Sequence, residues 1–411
     1  MTFRRLIVTA IGVALAFVGT AGAADWPQWR GPRRDGVSHE KGWLARWPDG
    51  GPKRLWEAKV GRGLATVAVS QGRLYTIGHV KGKDIIWCLD AATGKVTWKH
   101  AYPCKFRFAY PGPAATPTVD GGRVFSHSRE GDLICLDAAK GTVVWHRNVR
   151  EDFKVPVQKP DYGNASSPLV LGGLVVVEVG APDGLIVAFD KASGKTVWRG
   201  GEGGRFAYSS PMGHEWRGKQ VVVAFHALGL GVFDAADGQE LWRYPWKTYD
   251  RCSVATPVLL GDRAFISASY GSGAALVKLG QDKPLWATKD MMSHHATCVL
   301  WEGHLYGFHF DRRKPATLRC LDAKTGAVKW SAGRLGNGTV TVADGKLIVL
   351  GQRGDLVVAP ASPEGFVPIS RVDKLLTGLC WTVPVLCNKR LYCRNHSGDL
   401  VCLDLSGEED I

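Results

Sequence analysis

The chain lacks the signatures of the common enzyme classes. No Walker loop, no H-E-x-x-H and no G-x-S-x-G occurs in its 411 residues, which removes the P-loop, zincin and serine-hydrolase readings. No C-x-x-C-H occurs, so no covalently attached haem is expected. Beyond the amino terminus, no apolar run approaches the roughly 18 residues that would span a bilayer. Acidic residues are scarce beside basic ones, 38 against 52, for a formal net charge of +14. Such a balance suits an anionic partner: nucleic acid, a membrane surface or acidic polysaccharide. What is plentiful is glycine, with 51 residues, and tryptophan, with 16. At 45% hydrophobic and 22% charged, the composition excludes wholesale disorder and favours many turns and short strands.

Residues 1–23 read as a cleaved export signal. Arg4 and Arg5 form a positive start, Leu6 to Val18 is uncharged and mostly apolar, and Ala21-Gly22-Ala23 supplies the small residues of a cleavage site. No cysteine sits at the cleavage point, which argues against a lipoprotein anchor. A periplasmic or secreted location makes nucleic acid a poor partner. Envelope proteins and acidic polysaccharide remain, and the chain is expected to be a monomer. A leader, residues 24–51, separates the signal from the body, residues 52–411.

The body is one motif repeated. An apolar strand ends in Asp, a short turn carries Gly, and a further strand ends in Trp. The copies are Asp90, Gly94 and Trp98; Asp137, Gly141 and Trp145; Asp190, Gly194 and Trp198; Asp234, Gly238 and Trp242; and Asp322, Gly326 and Trp330. A degenerate copy runs from Leu276 to Trp286, and the last full signature stops at Asp404. Asp90 and Asp404 stand seven intervals of about 45 residues apart, the length of a four-stranded propeller blade. Seven intervals require eight copies, and the missing one falls near Gly354-Asp355-Leu356. The Asp carboxylate can accept turn amides, the Gly supplies positive φ, and the Trp can bury its ring between neighbouring sheets.

A second element precedes each copy, as in Ala115-Thr116-Pro117, Ser166-Ser167-Pro168, Ser209-Ser210-Pro211 and Ala255-Thr256-Pro257. Proline fits the start of a strand, so this element should open the innermost strand of each blade. The last copy has no closing Trp, whereas Trp56 stands alone ahead of the first. The expected fold is therefore an all-β, eight-bladed propeller of four-stranded antiparallel blades, closed by the amino-terminal strand around Trp56.

The A-x-D-x-x-T-G-K-x-x-W pattern at Asp90–Trp98, Asp190–Trp198 and Asp322–Trp330 resembles the repeats of the pyrroloquinoline-quinone-like (PQQ-like) β-propeller family, over about residues 52 to 405. The resemblance implies a propeller fold, and it admits two kinds of activity. One is the BamB-like scaffold of outer-membrane protein assembly. The other is a dehydrogenase that holds the quinone and Ca²⁺ at one mouth of the ring. Dehydrogenases of this kind carry a vicinal Cys-Cys disulfide, and none of the ten cysteines here is adjacent to another. No catalytic residue and no metal ligand set can be carried over. Cys88, Cys135, Cys320 and Cys402 share one repeat position and read as free core thiols. Cys387, Cys393 and Cys402 fall on successive strands, which leaves one cross-strand disulfide open.

Loops entering the inner strands converge on one mouth. Aligned by their distance from the Ser/Thr-Pro element, they bring Tyr110, Tyr162, Asn164, Tyr208, Arg251, His294, His295, Asn337 and Trp381 together. This set suits a planar anionic ligand or a peptide loop, or it plugs the axis. The two longest loops, Tyr102–Pro113 and Val149–Ala165, are basic through Arg107, Lys154 and Lys159. The reading favoured is an exported, non-catalytic binding scaffold of the cell envelope. The alternatives are a PQQ- and Ca-dependent alcohol or sugar dehydrogenase and a propeller that binds acidic polysaccharide.

Overall fold

A computed structural model describes residues 25–105, 112–158 and 161–407. Seven four-stranded antiparallel sheets and one five-stranded sheet follow one another as eight blades. Blade 1 comprises Ala68–Ser70, Arg73–Val80, Lys83–Asp90 and Val96–Pro103, counted from the axis outward. Blades 2 to 7 repeat that order. Blade 8 takes three strands from the carboxyl end, Val385–Cys387, Arg390–Arg394 and Asp399–Asp404, and its outer strand, Arg54–Lys59, from the amino end. Trp56 lies opposite Cys402 and Lys59 opposite Asp399, so the ring closes as the orphan Trp56 suggests. The proposed signal, residues 1–23, lies outside the described residues.

Each element of the motif has an observable job. Asp90 Oδ1 accepts the backbone N–H groups of Ala92 at 3.1 Å and Thr93 at 2.8 Å, and the Thr93 hydroxyl at 2.8 Å. Asp137, Asp190, Asp234, Asp322 and Asp404 accept from the residues that follow them in the same way. These bonds hold the turn and place the glycine, whose φ is near +70° at Gly94 and Gly194. There it meets the preceding blade's tryptophan. A Cβ on Gly94 would stand 2.6 Å from the Trp56 ring, and one on Gly141 2.5 Å from Trp98. The indole N–H then donates to the carbonyl beside the next blade's Asp: Trp56 to Ala91, Trp98 to Ala138, Trp145 to Lys191 and Trp198 to Ala235, at 2.9–3.2 Å. Trp286 and Trp330 make the equivalent bonds to Ala323 and Ser362. Trp242 makes none. Its neighbour is the degenerate blade 5, whose Gly280 packs against Trp216 and Arg217 instead.

The Ser/Thr-Pro elements sit immediately before the inner strands and tie them to one another. The Thr116 hydroxyl accepts the Thr66 N–H, Ser167 accepts Thr116, and Ser210 accepts Ser167, at 2.9–3.2 Å. Thr297 accepts Thr256 in the same way at 2.9 Å. A hydroxyl is needed there because the axis would otherwise bury unpaired amides.

The leader is not a free arm. It crosses the end of the axis and touches nearly every blade. Trp26 pairs with Val69 of blade 1, and its side chain is 1% exposed. Arg34 donates to the Ser167 and Pro168 carbonyls of blade 3, and Arg30 to those of Thr297 and Cys298. Val37–Ser38 adds a parallel fifth strand to the inner edge of blade 7. Trp43 is buried between blades 7 and 8, where blade 7 offers no outer Trp of its own. Arg30 and Arg34 are fully buried without a carboxylate on either guanidinium. Burial lowers their pKa values to about 10 and about 9, and backbone carbonyls carry the compensation.

The cysteines settle the pairing left open: none of the ten is in a disulfide. Cys393 lies opposite Val401, and Cys402 lies opposite Tyr392. The two sulfurs therefore belong to neighbouring register pairs, which point to opposite faces of the sheet. Cys387 lies opposite Arg390; it shares the face of Cys402 but is two register pairs and an intervening strand away from it.

Ring closure and the leader set two stability tests. Trp56→Ala and Trp26→Ala should each lower stability by about 3–5 kcal/mol, because each ring is buried at a junction of chain ends. Trp242→Phe, which breaks no hydrogen bond, should cost less. Denaturant midpoints check this; a small loss for Trp56→Ala would show that the ring is held shut elsewhere.

Candidate functional site

The leader leaves the opposite mouth open. There the loops entering the inner strands surround a cavity of about 210 Å³. Trp29 rises from the leader into the axis and forms its floor, with the indole N–H donating to Thr256 Oγ1 at 3.1 Å. Tyr162, Tyr208, Tyr249 and Tyr270 stand in the wall, with Arg129, His294, His295, Arg312 and Trp381.

One side of the cavity is a continuous aromatic stack. The rings of His295 and Trp381 lie 3.7 Å apart at 18°, and His294 sits 4.0 Å from His295. The Tyr270 hydroxyl lies 2.8 Å from His294 Nε2, and Arg312 caps the Tyr270 ring at 4.2 Å. Burial and the Arg312 charge lower the His294 pKa to about 4. Burial, then the neighbouring His294, holds His295 well below its usual value. Both imidazoles are therefore neutral at pH 7. Facing them, Tyr162 and Tyr208 make an edge contact at 5.9 Å, and Arg129 donates to the Tyr162 carbonyl at 3.0 Å. Burial lowers the Arg129 pKa to about 10, which leaves it a cation.

Of the residues singled out from the sequence, Tyr162, Tyr208, His294, His295 and Trp381 line this cavity. Tyr110, Arg107 and Lys159 lie outside the described residues. Three others are placed differently. Asn164 is buried behind the wall, where Oδ1 accepts from Arg150 Nε at 2.6 Å. Asn337 is buried beside His295, 3.4 Å from its Nδ1. Arg251 is exposed at a left-handed turn residue, and its neighbours Asp250 and Cys252 take the lining positions. The sequence alignment missed Trp29, Arg129, Tyr249, Tyr270 and Arg312. Arg129, Tyr270 and Arg312 follow the second strand of their blades rather than preceding the first, a position that the same repeat spacing would have exposed. Burial also raises the Cys252 pKa to about 12, so this thiol is not a poised nucleophile.

Eight blades, Asp-turn-Gly signatures and interblade tryptophans define a PQQ-like repeat propeller. The family model described as outer membrane protein assembly factor BamB matches residues 41–124 and 105–332, and the chain belongs to that family. Among individual relatives, BamB of Burkholderia pseudomallei is 26% identical over 54% of this chain and 57% of its own length. The chain thus spans little more than half of that protein. BamB of Shewanella oneidensis is 22% identical over 86% of this chain and 89% of its own. The quinone alcohol dehydrogenase subunit of Komagataeibacter europaeus is 29% identical over 27% of this chain and only 16% of that protein. Among solved structures, BamB from Moraxella catarrhalis superposes with a TM-score of 0.63 at 17% identity, covering 87% of this chain and 99% of that one. The quinohemoprotein alcohol dehydrogenase of Comamonas testosteroni gives 0.71 at 15% identity, over 94% and 81%. At such identities both likenesses establish the fold. No helix among the described residues is long and apolar enough to cross a membrane.

The neutral His294 gives a pH test. Its folded pKa of about 4 lies below the unfolded value near 6.5, so the unfolded chain binds more protons between the two. Stability should fall as pH drops from about 6.5 to about 4 and then level off for this group. His294→Gln should remove a loss on the order of 2–3 kcal/mol from that window. Unfolding curves at pH 7 and pH 4 measure it; identical pH dependence in both proteins would place His294 in solvent.

Proposed function

We propose that this propeller is an exported, non-catalytic binding scaffold of the cell envelope, and that its open mouth docks a peptide segment of a partner protein. The observation that carries the reading is the composition of the rim. Tyr249, 59% exposed, stands 5.5 Å from Tyr270 at the lip of a cavity floored by Trp29, with Arg312 reaching across both tyrosines. Tyrosine, tryptophan and arginine are the residues that most often anchor protein interfaces. The leader seals the other mouth, so the ring presents one cup. Membership of the BamB family supports an envelope partner, and the signal-like residues 1–23 support export.

The rival reading is a quinone- and Ca-dependent dehydrogenase. The flat faces of Trp29 and Trp381 with Arg129 and Arg312 favour a planar anion. The donor set does not suit the metal. Calcium takes six to eight oxygens, whereas Asp250 is the one carboxylate among the described lining residues, and Arg205 engages it at 2.9 Å. No catalytic step is therefore derived through the quinone.

Crosslinking and capture from envelope extracts test the scaffold. Arg312→Glu combined with Tyr249→Ala should reduce capture of the major partner by at least about tenfold, as expected for interface anchors. Unchanged capture would move the docking surface off the mouth. Dye-linked oxidation of an alcohol or sugar after addition of pyrroloquinoline quinone and Ca²⁺ would replace the scaffold with the dehydrogenase.

A further inference from the structure

Blade 1 gathers a second set of polar groups away from the mouth cavity. His79, on its second strand, lies in register opposite Asp84 on its third. Cys104 follows the outer strand and is held beside the turn that joins them, its backbone N–H donating to the Gly82 carbonyl at 3.0 Å. The blade's hydrogen-bond ladder thus fixes an imidazole nitrogen, a carboxylate oxygen and a thiol sulfur within 4.8 Å of one another. Asp84 is 1% exposed and Cys104 6% exposed.

The carboxylate is only half used. Asp84 Oδ1 lies 2.8 Å from His79 Nδ1. Its other oxygen, Oδ2, is buried and meets no nitrogen or oxygen donor, and the weakly donating Cys104 thiol is the carboxylate's remaining partner. A buried carboxylate oxygen without a strong donor is costly unless it carries a proton or meets a cation. Burial pushes both the Asp84 carboxyl and the Cys104 thiol up, and the two groups stand against each other. A raised thiol is a poor nucleophile, so a Cys-His-Asp hydrolytic arrangement is disfavoured. The same three groups with their protons removed are a ligand set.

We propose that His79, Asp84 and Cys104 form a binding site for a zinc-class divalent ion. A mixed nitrogen, oxygen and sulfur set suits a borderline cation, whereas Ca²⁺ and Mg²⁺ prefer oxygen alone. Carboxylate and thiolate together neutralise the two charges. A tetrahedral ion about 2.0–2.1 Å from nitrogen and oxygen holds them roughly 3.3 Å apart, so the His79–Asp84 pair must open by about half an ångström. Water completes the fourth position. Loading displaces the thiol proton, so affinity rises with pH. The charged and titratable neighbours oppose one another: Arg129 faces Asp84 and Cys104, while Glu130 and Asp132 face Cys104, and Tyr102 packs beside Asp84. Because Arg129 also lines the mouth cavity, the site lies one side chain away from the cup.

Cobalt(II) reports the site on the full chain. One equivalent should give a thiolate-to-cobalt charge-transfer band and the visible bands of a four-coordinate ion, and Zn²⁺ should displace it. Cys104→Ser should abolish the charge-transfer band, and His79→Gln should weaken Zn²⁺ binding by at least about tenfold. Cys380→Ser, at a buried thiol elsewhere, should leave both intact and control for folding. Stoichiometric Zn²⁺ should also raise the thermal midpoint of the wild type, more at pH 8 than at pH 6. A charge-transfer band that survives Cys104→Ser, or the absence of saturable binding to the folded wild type, would overturn the site.

Discussion

The fold depends on one contact repeated around a circle. A tryptophan at the outer edge of one blade lies flat on the glycine of the next and donates its N–H to the carbonyl beside that blade's Asp. Every part of the motif serves this contact. The Asp carboxylate gathers the turn amides, the turn places glycine at positive φ, and only glycine leaves room, since a Cβ there would overlap the ring. The contact is both apolar and hydrogen-bonded, so it fixes orientation as well as burial. Where the turn degenerates, as at Gly280, the preceding Trp242 loses its partner. Where blade 7 has no outer tryptophan, Trp43 of the leader fills the seam.

This dependence explains what the sequence revealed. The Asp, Gly and Trp positions are spaced by the blade itself, so their period exposed the count of eight and the closure through Trp56. Trp56 was legible because it is an orphan of a regular series. The leader has no period, and its role was not legible. Nothing in the sequence marks Arg30 and Arg34, yet both are buried and donate to carbonyls of blades more than a hundred residues away. Burial of a cation on backbone carbonyls leaves no pattern in a single sequence. The disulfide left open among Cys387, Cys393 and Cys402 turned on the register of neighbouring strands, which spacing alone did not supply.

The mouth was half legible for a related reason. Alignment on the Ser/Thr-Pro element found the side chains on loops that enter inner strands, namely Tyr162, Tyr208, His294, His295 and Trp381. It missed those after the second strand of each blade, Arg129, Tyr270 and Arg312, because the circle brings two loop sets together at the same face. Trp29 was hidden further still, since it reaches the floor from the sealed end. The resulting cup combines a rigid ring, a plug that is part of the chain, and an aromatic rim with one exposed arginine, Arg312. Such a surface is preorganised, which lowers the entropy lost on binding.

The central claim is that the chain's two ends and its leader lock the ring as one cooperative unit. Amide hydrogen exchange on the native protein tests it most directly. The outer strand of blade 8, Arg54–Lys59, and the leader amides of Trp26 and Gly36 should exchange only through global unfolding, at the same rate as the core strands of blades 3 and 4. Fast exchange of 54–59 and 26–37, with slow exchange elsewhere, would mean that the ring stands closed without them and would contradict the account.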